Sequence, residues 1–124
     1  MTKPGDTGLT RIFRAAGYSA SGLRAAWQHE SAFRQECLLV AVLVPAAFWV
    51  GERPFDIALL IAAAVQTLAF ELINSAVEAV VDRIGHEHHE LAGRAKDIAS
   101  AAVAISLVLL AVVWLGYVWD RFFS

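Results

Sequence analysis

The sequence is poor in charge and in cysteine, and these shortages exclude several classes of protein. Only 18% of the 124 residues are charged and 58% are hydrophobic, whereas disordered chains show the opposite balance. The single cysteine, Cys37, excludes a framework of intrachain disulfides. A formal net charge of −2 argues against nucleic-acid binding through a basic face. The length fits one domain that is rich in apolar side chains.

The sequence also lacks a P-loop, in which two glycines with four residues between them precede Lys and then Ser or Thr. The nearest stretch, 17–24, has neither the lysine nor the hydroxyl. The segment 86–90 reads HEHHE and resembles a metal cluster, but Glu90 stands where a zincin helix needs its second histidine. We therefore expect a solvated polar loop there, and neither a soluble P-loop kinase nor a zinc enzyme.

The charged residues are clustered, and the segments between the clusters are apolar. Residues 98–119 contain no charge and are long enough to cross a bilayer core, which needs about 20 helical residues. Two shorter uncharged runs reach this length when they are extended across polar residues, to 32–51 and 57–81. Turn-forming residues at 51–54 separate them. The sequence thus predicts three membrane spans.

Another helix is predicted before these spans. Apolar residues recur at helical spacing through 9–27, with arginines between them. This pattern is typical of an amphipathic helix that lies on a membrane surface, although Gly17 and Gly22 weaken its middle; a solvated cytosolic arm is the alternative. The predicted fold is therefore an all-α membrane protein, one domain over 1–124 with a surface helix and three transmembrane helices.

The basic residues indicate the orientation of the chain. Eight of the ten lie near the N-terminus or in 82–97, and only Arg53 and Arg121 fall on the other side. Because cytoplasmic loops carry an excess of Lys and Arg, we expect the N-terminus and 82–97 in the cytoplasm and the C-terminus outside. Aromatic residues near the outer interface fit an aromatic belt: Trp49, Trp114, Tyr117 and Trp119.

The second predicted span carries a polar stripe. Its residues share one helix face because they are spaced i, i+3, i+4, i+7 and i+11: Glu71, Asn74, Ser75, Glu78 and Asp82. A carboxylate inside a membrane helix is costly unless it is paired, protonated or coordinated. The stripe therefore indicates a functional site, and a structural network that joins helices is the alternative.

Two further polar clusters lie at the same predicted depth. They are Glu30, Arg34 and Gln35 at the start of the first span, and Arg94, Lys96, Asp97 and Ser100 at the start of the third. Paired glutamates suit Mg²⁺, which also takes water and phosphate oxygens, and a lysine suits phosphate. Another glutamate at low dielectric suits a general base. These parts suffice for phosphoryl transfer, but they also suit a proton or cation pathway.

The stripe is part of a longer pattern. Residues 71–83, ELINSAVEAVVDR, resemble the signature of the bacterial integral-membrane diacylglycerol kinases. Further matching segments follow the family order through the whole chain: Arg11 with 15–18, 22–27, Glu30 with 32–36, and 89–97. The chain departs from the family pattern at Ala20, Ile57 and His88, which leaves the details of the lipid side open.

The resemblance implies a homotrimer that transfers the γ-phosphoryl group of MgATP to diacylglycerol at the cytoplasmic face of the inner membrane. Glu71 would then be the general base supported by Asn74, while Glu30 and Glu78 would hold Mg²⁺. The positions that match the ATP side are Arg11, Tyr18, Glu30, Glu78, Glu87, His88, His89, Lys96 and Asp97. Those that match the lipid side are Arg11, Arg24, Ala25, Ala26, Trp27, Ala32, Phe33, Arg34, Gln35, Glu36, Trp49, Glu71, Ser100, Trp114 and Trp119.

Two other functions stay open from the sequence. The same chemistry on another lipid alcohol, such as a polyprenol, fits because the departures affect the lipid side. A proton or cation conduit, or a purely structural membrane oligomer, is the non-enzymatic alternative. The role of Asp82 is also open, since it is either catalytic or structural through Arg83 or Arg94.

Overall fold

The computed structural model describes residues 7–85, 87 and 89–124, and the ordered elements among them are four α-helices. Helix α1 covers Gly8–His29, α2 covers Ser31–Val50, α3 covers Pro54–Ile84 and α4 covers Glu90–Phe123. The predicted all-α class is confirmed, and α2, α3 and α4 are each long and apolar enough to cross a membrane. Helix α1 continues through both of its internal glycines.

The breaks between the first three helices are short and have local causes. Glu30 alone separates α1 from α2, with extended backbone angles of φ −119° and ψ 105°. Arg34 Nη1 donates a hydrogen bond of 2.7 Å to the carbonyl of Trp27. A side chain of α2 thus bonds one of the last carbonyls of α1, which have no hydrogen-bond donor within their own helix. At the next break, Pro54 begins α3, and Asp56 accepts a 3.2 Å hydrogen bond from the backbone N–H of Arg53.

The apolar core lies in the half of the bundle that contains the α2–α3 turn. Two buried clusters form it: Ala47, Val50 and Leu60, and then Ala63, Ala64 and Leu110. Helix α3 packs against both α4 and α2, whereas α1 contacts mainly α2. Because alanine lets helix backbones approach closely, α3 is held tightly here as the central helix.

Hydrogen bonds from side chains also join α3 to α4 in this half. Gln66 Nε2 donates to Ser106 O at 2.8 Å, Trp114 Nε1 donates to Leu60 O at 3.1 Å, and Tyr117 OH donates to Asp56 Oδ1 at 3.0 Å. Such bonds between membrane helices are worth about 0.6–2 kcal/mol. Together they set the register of α3 against α4, and with it the depth of the polar stripe.

Gly51 is the tightest point of the α2–α3 turn. A Cβ atom there would lie 2.8 Å from Ile57 Cγ1 and 3.1 Å from Ala47 O. We expect Gly51→Ala to lower the free energy of unfolding by about 1–3 kcal/mol, the usual cost of overpacking. Thermal unfolding in detergent micelles, followed by circular dichroism, measures the change. Gly116→Ala is the matched control, because a Cβ there has no neighbour within 4 Å among the described residues; equal Tm values for the two variants would contradict the prediction.

Candidate active site

The polar stripe of α3 lies in the other half of the molecule, next to the α1–α2 junction. Glu71 and Ser75 are buried, with exposed fractions of 5% and 9%. Asn74 and Glu78 are partly buried, and Asp82 at the end of the stripe is exposed. The stripe thus runs from a buried carboxylate inside the bundle to a solvent-accessible one near the start of α4.

Several carboxylates act on one another at the buried end of this stripe. Glu71 lies close enough to Glu78 and Glu30 for electrostatic repulsion, and Glu36 on α2 also interacts with Glu71. Asn74 Nδ2 donates a long, 3.5 Å hydrogen bond to Glu78 Oε1, and its amide also interacts with Glu71. Because like charges repel strongly in an apolar setting, such a group of acids requires protons or a bound cation.

A salt bridge closes the exposed end of the stripe. Lys96 Nζ lies 2.7 Å from Asp82 Oδ1 and also acts electrostatically on Glu78. Arg94, one of the partners considered for Asp82, pairs with Glu90 at 3.3 Å. The Asp82–Lys96 bridge joins the last turns of α3 to the first turns of α4, so Asp82 has at least a structural role.

The loop between α3 and α4 forms a small cavity beside this salt bridge. Glu87 and His89 line the cavity, whose volume is about 290 Å³, together with Asp82 and Lys96. His89 Nδ1 accepts a 3.1 Å hydrogen bond from the backbone N–H of Leu91, which caps α4. Three of the predicted nucleotide-side residues, Glu87, His89 and Lys96, therefore line one space.

Other predicted nucleotide-side residues are more scattered. Arg11 and Tyr18 lie on exposed positions of α1, and Asp97 is exposed on α4. None of these three lines the cavity of the α3–α4 loop. His88 lies outside the described residues, as does His86.

Most predicted lipid-side residues of α1 and α2 occupy the last turns of α1 and the first turns of α2. They are Arg24, Ala25, Ala26, Trp27, Ala32, Phe33, Arg34, Gln35 and Glu36. Ala25, Ala26 and Glu30 line a cavity of about 710 Å³ between α1 and α3, to which α3 contributes Ser75. Phe33 is buried, whereas Trp27 is half exposed. Ser100 is exposed on α4, one turn after Lys96.

Three predicted lipid-side tryptophans lie at the opposite end of the bundle from Glu71. Trp114 donates its indole N–H to Leu60 O, and Leu60 precedes Glu71 by about three helical turns. The ring of Trp49 lies 5.2 Å from that of Phe122, and Trp119 stacks on Phe123. Their contacts are typical of interface anchors, and the structure does not bring them to the stripe.

The chemistry of the carboxylates suits a hard divalent cation. In the part of the chain that the structure describes, no group of three Asp, Glu, His or Cys side chains converges into a complete metal site. Glu30 and Glu78 carry carboxylate oxygens on two different elements, and both act electrostatically on Glu71. Since Mg²⁺ binds through one or two carboxylates and completes its shell with water and phosphate oxygens, this donor pair fits MgATP.

Some polar atoms of the site have no hydrogen-bond partner, a feature that the sequence did not reveal. They are Glu36 Oε2, Asn74 Oδ1 and Ser75 Oγ, which are buried and unpaired within 7–85, 87 and 89–124. Buried polar groups are normally bonded, so these three atoms have free hydrogen-bonding capacity within the described residues; Gln66 Oε1, away from the stripe, shares this property. Only the spacing of the stripe indicated this face in advance.

Comparison with known proteins identifies one family. The model of the family described as prokaryotic diacylglycerol kinase matches residues 17–118. The chain is 50% identical to a diacylglycerol kinase of Escherichia coli (strain K12) over 116 residues, 94% of this chain and 95% of the relative. It is 50% identical to a Haemophilus influenzae diacylglycerol kinase over 110 residues, 89% and 93% of the two chains. A Pseudomonas aeruginosa relative of the same name is 47% identical over 110 residues, 89% of each chain.

Proposed function

This chain belongs to the prokaryotic diacylglycerol kinase family, and from that premise we propose that it moves the γ-phosphoryl group of ATP onto the free hydroxyl of diacylglycerol. The products are phosphatidic acid and ADP, formed at the cytoplasmic face of the inner membrane. The observation that supports this most strongly is the buried Glu71 carboxylate on an apolar helix, surrounded by further acids. Burying several acidic side chains in a membrane helix is energetically costly, so such residues typically mark a functional site.

The lipid side of the reaction is assigned to Glu71. Its carboxylate accepts the proton of the acceptor hydroxyl while the new oxygen–phosphorus bond forms. A general base acts from hydrogen-bond reach, about 2.6–3.2 Å, and Glu71 sits on a span where a membrane alcohol can approach it. The Asn74 amide, placed between Glu71 and Glu78, holds the orientation of the base.

The nucleotide side is assigned to residues at the cytoplasmic end of the stripe. Glu30 and Glu78 would hold Mg²⁺, which neutralises charge on the phosphates when it is bound. Lys96 supplies a further positive charge for the phosphates, and its bridge to Asp82 keeps the ammonium group beside Glu78. Arg11, Tyr18, Glu87, His88, His89 and Asp97 complete the proposed nucleotide contacts.

The assembly and orientation are part of the same proposal. We infer a homotrimer, as the resemblance implies, with the N-terminus and 82–97 in the cytoplasm and the C-terminus outside. Helix α1 lies on the inner membrane surface, since Leu9, Ile12 and Phe13 expose 63–73% of their area and need an apolar environment. Further apolar side chains exposed on α3, such as Ile73 at 58%, fit contacts with lipid or with other subunits.

Transfer of label from γ-radiolabelled ATP to lipid tests the proposal. Purified protein in mixed micelles receives diacylglycerol or a polyprenol, each with and without Mg²⁺. We expect labelled phosphatidic acid only when diacylglycerol, ATP and Mg²⁺ are all present. Labelling of the polyprenol alone would show that the acceptor is a polyprenol and not diacylglycerol. Ion flux in liposomes without phosphorylation of either lipid would contradict the kinase assignment.

A further inference from the structure

The cavity between α1 and α3 is mostly apolar and adjoins the buried end of the stripe. Its volume is about 710 Å³, and small residues line both of its walls, among them Gly22, Ala25 and Ala26 on α1 and Ser75, Ala76 and Ala79 on α3. Small side chains on both helices keep this space open beside Ser75, one helical turn from Glu71. A lipid backbone with its acyl chains suits such a space better than a charged ligand does.

Ser75 differs from the other buried hydroxyls of the described chain. Thr67 Oγ1 donates to Ala64 O at 2.7 Å, and Ser106 Oγ donates to Val103 O at 2.6 Å. Bonding to the preceding helical turn is the usual way for such side chains to satisfy their hydroxyl. Ser75 is 91% buried, being 9% exposed, yet its Oγ has no partner among the residues described. Its hydroxyl is therefore available to a bound molecule.

The position of Ser75 relative to Glu71 matches the chemistry of the acceptor. Ser75 follows Glu71 by four residues on the same helix face, an axial rise of about 6 Å. In diacylglycerol, the carbon that carries the free hydroxyl is bonded directly to a carbon that carries an ester. A hydroxyl that reaches Glu71 thus brings an ester carbonyl within reach of the next turn, where Ser75 lies.

We propose that Ser75 determines acceptor specificity by donating a hydrogen bond from its Oγ–H to an ester carbonyl of the diacylglycerol held in the α1–α3 cavity. This inference rests on the proposed function and refines it. A polyprenol and an ether-linked dialkylglycerol have no carbonyl to accept the bond. One neutral hydrogen bond corresponds to about a three- to tenfold preference in kcat/KM for the ester.

The test compares an ester with its ether analogue. Wild type and Ser75→Ala are assayed in mixed micelles, at saturating ATP and Mg²⁺, on a 1,2-diacylglycerol and on the dialkylglycerol with matched chains. We expect wild type to prefer the ester about three- to tenfold, and Ser75→Ala to use both lipids at the rate of the ether. The KM for ATP stays unchanged. Ser106→Ala removes an equally buried hydroxyl that bonds within its own helix, so it keeps the wild-type ratio.

Each other outcome overturns a specific statement. Equal loss on both lipids, or an unchanged ester-to-ether ratio in Ser75→Ala, contradicts the role of Ser75 and assigns its hydroxyl to packing or to a contact between subunits. Equal kcat/KM values for ester and ether in wild type contradict it too, even where the variant does not fold. Failure of wild type to phosphorylate either lipid overturns the proposed kinase function instead.

Discussion

Replacing Glu71 by glutamine should reduce kcat for lipid phosphorylation by about 10²–10⁴-fold, the usual contribution of a general base. The amide has nearly the same shape as the carboxylate but cannot accept the proton of the acceptor hydroxyl. The KM for ATP should change little, because Glu71 is assigned to the lipid side. The variant should fold at least as well as wild type, since it removes a buried carboxylate that lies among other acids.

Steady-state kinetics and thermal unfolding in the same micelles measure the two effects separately. Glu90→Gln is the matched control, because the side chain of Glu90 is 85% exposed in its pair with Arg94 and takes no part in the proposed site. Its turnover should equal that of wild type. A folded Glu71→Gln enzyme with near wild-type kcat would remove Glu71 from the mechanism as the base.

The helices could be predicted from the sequence because a bilayer leaves few alternatives. An uncharged segment such as 98–119 must form its backbone hydrogen bonds without water. A helix does this within the segment, and the segment is about twice as long as a membrane β-strand needs. The start of α4 was harder to predict, since 90–97 is polar and carries no apolar signal. There the cap formed by His89 begins the helix at Glu90, eight residues before the predicted span.

The face of the site was also predictable, but its pairings were not. The spacing from Glu71 to Asp82 places their side chains on one face of any α-helix. The partners on other elements depend on how the helices pack, so the bridge from Asp82 to Lys96 has no local signal. The same holds for Gln66, whose amide donates to a backbone carbonyl on α4. Every residue carries a backbone carbonyl, so the sequence does not indicate which one accepts this hydrogen bond.

Replacing Glu78 by glutamine should reduce kcat/KM by about 10²-fold or more at low Mg²⁺, because a bound metal contributes several kcal/mol of charge stabilisation to phosphoryl transfer. Glu78 is proposed to bind the cation of MgATP, so raising the Mg²⁺ concentration should restore part of the activity. Glu71→Gln should show no such recovery, which separates loss of the metal ligand from loss of the base. Mg²⁺ titrations of initial rate at fixed ATP and diacylglycerol measure the difference.

Glu52→Gln is the control for a general effect of removing a carboxylate. Glu52 lies in the α2–α3 turn and pairs with Arg121 at 3.9 Å, at the other end of the bundle from the stripe, so its Mg²⁺ dependence should match wild type. Glu30→Gln should shift the Mg²⁺ dependence in the same direction as Glu78→Gln, because both residues are assigned to one cation. If Glu78→Gln kept the wild-type Mg²⁺ dependence, Glu78 would not be a metal ligand, and other groups would have to hold the cation.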